Sequence, residues 1–304
     1  DATCKHHRID SAVIFCSAMA QYVENMPRLP TVIDFVDVDS AKWTQYAPKH
    51  RWPMSWLYRR EGEFLLAYER RIASRAARSF FVTESEAALF TRQAPECSVR
   101  VEAMCNGVDS DYFSPHPERF SPYLVDEVPV VFTGAMDYWP NVDAVTWFAK
   151  EVLPELLVKY PKTRFYIVGR SPTPEVTELA NEHVIVTGTV PDVRPYIQHA
   201  TIVVAPLRIA RGIQNKILEA MAMERTVIAS ADCAAAVDAV LGQELLTANT
   251  PDDYLQAIKT CLENPGKSAT IGRAARQRVT ERYSWKAHMS GIDRYISSSP
   301  AEHK

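Results

Sequence analysis

Three apolar runs in the second half of the chain each stop on a glycine: VVFTG (130–134), FYIVG (165–169) and VIVTG (184–188). Glycine is scarce here, 10 in 304 residues, about half the usual ~7%, so each one marks a place where the backbone needs it. Helical periodicity fills the gaps: Val142, Trp147, Phe148, Val152, Leu153 and Leu156 share one face, opened by Asn141 as a cap. Strand, tight turn and helix in repetition define parallel βαβ units and exclude all-helical and antiparallel folds. Gly212 follows the apolar run VVAPL and Gly107 closes an earlier strand, so five of the ten glycines stand at strand ends. Turn geometry accounts for any one of them. All five together favour close backbone approach to a ligand beyond the carboxyl ends of a parallel sheet.

The same alternation organises the rest. Strands are expected at 11–17, 31–36, 79–82 and 99–104, with a helix over 56–78 and a capping box, Thr83-x-x-Glu86, opening another. Residues 114–128 (SPHPERFSPYLVDEV) hold three prolines without periodicity and read as a linker. Beyond it come strands at 129–133, 164–168, 184–187, 201–205 and 226–229, a helix over 213–223 and a final helical stretch over 268–298. The domains expected are therefore 1–113, a linker at 114–128, and 129–280, with 281–304 as a closing helix. The fold class is α/β with two Rossmann-like, doubly wound parallel sheets. The first shows four strands where such a half holds about five or six, and position 1 is Asp, so the N-terminal domain is expected to be incomplete.

Composition narrows the function classes. Lys and Arg number 34 against 37 Asp and Glu, which leaves no basic excess for a nucleic-acid partner. No apolar stretch approaches the ~18 residues of a membrane span. Six cysteines without a CxxC pair read as reduced, mostly buried thiols of a cytoplasmic protein, and the histidines lack ligand spacing, so no metal site is expected. Trp43, Trp52 and Trp56 with Arg51, Arg59 and Arg60 form an aromatic-basic stretch. It suits core packing, an acceptor lipid or peripheral contact with the inner face of a membrane.

The sharpest segment is RGIQNKILEAM (211–221). On a helix Asn215, Lys216 and Glu219 share a polar face near Gly212, and a helix N-terminus carrying Lys216 suits a phosphate. Glu219, one turn deeper, can accept hydrogen bonds from paired sugar hydroxyls. An i,i+3 surface salt bridge between Lys216 and Glu219 explains the same spacing, which leaves both readings open.

This segment, continued as AMERTVIAS, resembles the donor-site helix of the GT-B glycosyltransferases of family four, retaining nucleotide-sugar enzymes. Glu219-Ala220-Met221 matches the second Glu of the family's Glu-x7-Glu motif, while Arg211 stands where the first Glu belongs. FTGAMDYWPN (132–141) resembles the phosphate loop, VTGTVPDVRPYI (186–197) the segment whose backbone near Val190 meets the nucleobase, NGVDSDYFSP (106–115) the end of the N-terminal domain, and RYSW (282–285) the start of a helix crossing back to it. The phosphate loop, Gly134 to Asn141, lacks the family's Arg and Lys, leaving Arg170, Arg211 and Lys216 to take the diphosphate charge. VIDFVDVDSAKW and LYRREGEFLLAYERRIASRAARSFFVTESEAALF resemble the bacterial sugar transferases associated with PEP-CTERM/exosortase exopolysaccharide systems. Where many relatives carry a His near the transferred sugar, this chain has Asp37, inside Asp34-x-x-Asp37-x-Asp39.

The resemblance implies a metal-independent, hexosyltransferase-type enzyme with no cofactor. Its donor would be UDP- or GDP-linked, and its acceptor a saccharide or lipid-linked saccharide. Catalytic roles would fall to Asp37, Arg211 and Lys216, and donor binding to Gly134, Arg170, Val190, Gly212, Asn215, Lys216 and Glu219. Two other readings stay open: a GT-B-like sugar-nucleotide epimerase, and a non-catalytic nucleotide-sugar-binding component of a polysaccharide assembly.

Overall fold

The computed structural model describes residues 6–7, 9–49, 51–104, 107–209 and 212–297. The chain divides into two compact units, residues 1–106 with 288–304, and residues 107–287. Among the described residues the first unit carries β1 (Ala12–Phe15), β2 (Thr31–Val36), β3 (Arg78–Phe81) and β4 (Val101–Ala103), all parallel and in sequence order across the sheet. Helices α1 (Asp39–Tyr46), α2 (Met54–Arg75) and α3 (Glu84–Gln93) connect them. Strand and helix meet over packed rings: Phe35 stacks 5.1 Å from Phe81, and Phe81 lies tilted 4.8 Å from Phe90. The Thr83 hydroxyl accepts from the Glu86 amide as a cap should. The second half of the expected capping box is absent: the Glu86 carboxylate accepts from the Val38 amide at 2.9 Å and ties α3 to the end of β2.

Glu69 is the one carboxylate here fully shut away from solvent among the described residues, held by the Ser40 amide (3.3 Å) and hydroxyl (2.6 Å). Burial, opposed by these hydrogen bonds, pushes it up to about 7 from 4.5. The folded state therefore holds a proton that the unfolded chain has released. Its stability contribution is complete below about pH 4.5, is lost as pH rises through about 7, and amounts to roughly 3 kcal/mol. Glu69→Gln should melt higher than the parent above neutral pH. That difference should vanish near pH 4.5 in paired thermal melts.

In the second unit β5 (Val128–Thr133), β6 (Thr163–Val168), β7 (Val184–Gly188), β8 (Ile202–Ala205), β9 (Val227–Ala229) and β10 (Leu246–Thr247) form a parallel sheet in the order β10-β9-β8-β5-β6-β7. The order reverses between β5 and β8, the switch point where an open α/β sheet leaves a crevice beyond its carboxyl ends. The helices are α4 (Trp139–Trp147), α5 (Leu153–Lys159), α6 (Pro174–Thr177), α7 (Arg194–Gln198), α8 (Asn215–Ala222), α9 (Ala231–Ala235), α10 (Pro251–Glu263), α11 (Pro265–Arg282) and α12 (Trp285–Ser297).

Four expectations are corrected. The helix expected at 213–223 begins at Asn215, so Gly212, in the left-handed region at φ 65°, precedes it instead of opening it. The stretch 268–298 is two helices, broken at Tyr283 and Ser284, where Ser284 pairs with Val108 and its hydroxyl caps α12 through the Ala287 amide. Asn141 does not cap α4: with Pro140 in its first turn, that helix starts at Trp139 behind Tyr138, leaving Asn141 inside it and its side chain free for another task. Residues 114–128 belong to the second unit and lie along α7, since Gln198 clasps both backbone groups of His116, His199 bonds the Arg119 carbonyl, and the Tyr123 hydroxyl donates to the Tyr196 carbonyl.

Residues 288–297 of α12 belong to the first unit, where Ile292 packs on Val32 and Phe80 from the far face of that sheet. Of the four cysteines described, Cys97, Cys233 and Cys261 are buried and Cys16 is half-buried, all as free thiols.

Candidate donor site

The register of the second sheet lines up its glycines. Thr133 pairs with Val168 and Val168 with Gly188, so Gly134, Gly169 and Gly188 sit side by side at the carboxyl ends of β5, β6 and β7. The turns touch: a Cβ on Gly169 would lie 1.7 Å from the Gly134 carbonyl oxygen. The Met136 amide reaches back to the Arg170 carbonyl at 2.8 Å, which locks the β5–α4 turn against the end of β6.

Lys216, in the first turn of α8, points into this turn from across the switch point. Its Nζ donates to Asn141 Oδ1 at 2.5 Å and lies 4.2 Å from the Phe132 ring centroid. A Cβ on Gly134 would stand 3.2 Å from that Nζ and 2.7 Å from Asn141 Nδ2. Only a glycine lets the ammonium and the loop come this close. Asn141 Nδ2 in turn donates to the Ala135 carbonyl at 2.8 Å, so one buried amide fixes both the loop and the lysine. Burial pulls Lys216 down to about 8, against the neighbouring Glu219 charge, which favours the cation.

Glu219, one turn further along α8, is half-buried, and burial raises its carboxyl while the Lys216 charge lowers it. No hydrogen bond or ion pair from the described residues reaches its side chain. The surface salt bridge that spacing alone allowed between Lys216 and Glu219 does not form, because Lys216 turns to Asn141. An unpartnered carboxylate beside a buried ammonium suits a ligand that carries hydroxyls and an anion together.

The other expected residues are more dispersed. Arg170 follows the glycine of β6, exposed and without a side-chain partner among the described residues. Val190 is half-buried in the loop after β7, just ahead of Asp192, which takes the Arg194 guanidinium at 2.8 Å. Asn215 is exposed at the first position of α8. Arg211 lies outside the described residues. Asp37 belongs to the first unit, past a bulge at which Val36 takes φ 68° and its amide bonds the Asp34 carboxylate. Lys42 holds Asp37 and Asp39 at 2.9 Å each, so the Asp-x-Asp pair already shares a cation. Sequence reasoning missed two members, Asn141 and Phe132. Pro140 was the available signal for Asn141, because a proline in the first turn moves the cap upstream.

This geometry defines the fold class: GT-B, two parallel-sheet α/β units, with the Lys216 ammonium beside the glycine turn at the switch point of the second. Residues 127–264, just under half of the chain, match the family model described as "Glycosyl transferases group 1". Solved structures share the fold across nearly the whole chain. A UDP complex of HepE from Anabaena superposes with TM-score 0.69 at 17% identity, covering 98% of this chain and 82% of that one. Sucrose-phosphate synthase from Thermosynechococcus elongatus gives TM-score 0.72 at 17% identity, covering 98% and 76%. WaaG, a glycosyltransferase involved in lipopolysaccharide biosynthesis, gives 0.65 at 17%, covering 98% and 80%. No curated protein sequence gives a significant match.

Proposed function

We propose that the chain is a retaining, metal-independent glycosyltransferase. It moves a hexose from a UDP- or GDP-linked donor to a saccharide or lipid-linked acceptor in exopolysaccharide biosynthesis. The observation that carries the reading is the Lys216 ammonium, seated between Asn141 and Phe132 at the switch point, with the Glu219 carboxylate, unpartnered among the described residues, one turn on. The matched family over 127–264 and the UDP held by the HepE structure support a nucleotide-sugar ligand.

In this reading the β-phosphate meets Lys216 and the backbone of the Gly134 turn, with the exposed Arg170 as a second cation. Glu219 accepts from the ribose diol and Val190 borders the base. The bond from sugar C1 to the phosphate oxygen breaks with its electron pair left on the diphosphate, which Lys216 stabilises as charge develops. The acceptor oxygen forms the new bond to C1 on the same face and gives up its proton to the departing phosphate oxygen. Asp37, tethered by Lys42, is the acceptor-side carboxylate.

Calorimetric titration of the chain with UDP, GDP and their sugars, without added metal, tests this. One nucleotide series should bind, and Glu219→Ala should weaken it at least about 30-fold, since two hydrogen bonds to a carboxylate are lost. Unchanged affinity in the variant would remove Glu219 from the site. Absence of nucleotide binding by the parent would overturn both this reading and the nucleotide-sugar-binding alternative, and leave a degenerate relative that does not work alone.

The lysine adds a pH signature. An anion favours the charged ammonium, so affinity should fall as pH rises through about 8. Near that pH, binding should take up a proton, seen as a dependence of the calorimetric heat on the ionisation enthalpy of the buffer.

A further inference from the structure

The first unit carries a surface that the donor chemistry does not use. Between residues 40 and 60 the sequence holds five Lys and Arg, three Trp and no Asp or Glu. Trp52 is 80% exposed, Met54 40% and Trp56 58%, and Phe64, two turns along α2 from Trp56, is 63% exposed. Trp56, Arg60 and Phe64 fall at i, i+4 and i+8 and so share one helix face. The Arg60 guanidinium lies 5.9 Å from the Trp56 ring and 4.9 Å from the Phe64 ring. Arg51 and Arg59 are exposed with no ion-pair partner among the described residues. The acidic groups of this end of α2 are Glu61, paired to Arg60 at 3.1 Å, and Glu63, exposed on the same face at i+4 from Arg59, where three arginines outnumber it.

Large apolar rings left in water are costly, and their clustering marks an interaction surface. Indole rings with arginines suit one partner best. Trp settles at the level of lipid headgroups, Phe and Met reach the acyl boundary, and free guanidiniums pair with headgroup phosphates. The described helices include none long and apolar enough to cross a bilayer, so contact would lie in the interface plane. We infer that Trp52, Met54, Trp56 and Phe64, flanked by Arg51, Arg59 and Arg60, dock the first unit onto an anionic bilayer surface.

The test is flotation of the full chain with vesicles of phosphatidylcholine alone or mixed with phosphatidylglycerol. The chain should float with the anionic vesicles, not the neutral ones, with tryptophan emission shifting to the blue and binding weakening as salt rises. Trp52→Ala with Trp56→Ala should lower the partition coefficient about tenfold or more. Arg51→Glu with Arg59→Glu should abolish the preference for anionic lipid. All four side chains are exposed, so each double variant should keep the parent melting temperature, and nucleotide binding provides a second check on folding. Equal flotation of parent and variants would overturn the inference. So would a parent that ignores vesicles and sediments as a dimer that the Trp double variant dissolves, since the patch would then face a second copy of the chain.

Discussion

Lys216→Ala is expected to weaken binding of the nucleoside diphosphate by about 30- to 150-fold while leaving the free nucleoside untouched. A partly desolvated ammonium–phosphate hydrogen bond contributes about 2–3 kcal/mol, and that range converts directly to the affinity ratio. The fold should not suffer, because the variant removes a cation that burial already disfavours. Calorimetry with UDP against uridine, or GDP against guanosine, reads the difference. An equal loss for nucleotide and nucleoside would mean that Lys216 shapes the crevice instead of holding phosphate. Lys216→Arg separates charge from fit. Arginine stays ionised across the range, so residual binding should lose its fall near pH 8.

Gly169→Ala should be the most damaging small substitution in the second unit. Its new methyl would overlap the Gly134 carbonyl oxygen at 1.7 Å, a backbone atom that cannot swing aside, at φ 157°. Relief requires moving the β5–α4 turn away from β6, at a cost of about 3 kcal/mol or more. The displaced turn carries Asn141 and hence Lys216, so nucleotide affinity should fall with stability. Gly242→Ala is the matched control. It also sits at positive φ, 81°, but meets nothing within 4 Å, so only the backbone strain of about 1 kcal/mol applies. Comparable melting temperatures for the two variants would show that the close approach of the turns is not what Gly169 protects.

What the sequence made legible follows from which forces are local. The strands with a long apolar run, β5, β6 and β7, and their terminal glycines are marked by residue type alone, and they stand where expected. β10 has two residues and α9 five, too short to carry a period, and both escaped notice. The break between α11 and α12 depends on Ser284 pairing with Val108, a contact no local pattern encodes. At the site, Lys216 and Glu219 are legible from spacing on one helix. Their roles are not, because the choice between a mutual salt bridge and an open carboxylate rests on Asn141, 75 positions away in the chain. Glu86 makes the same point: its spacing to Thr83 signals a box, yet a distant amide at Val38 takes its carboxylate.

The cover on the first sheet has a consequence for the order in which the molecule can be made. Val32 and Phe80 are buried by Ile292, and residues 107–287 intervene before that helix exists. Translation at ~5–20 residues per second spends roughly 10–40 s on the interval. Throughout it, the nascent first unit presents one bare apolar flank to whatever surrounds the ribosome. The second unit, whose residues 107–287 are contiguous, faces no such wait. The half that begins first is thus the half completed last, and a chain halted before α12 would leave a finished second unit attached to an adhesive first one.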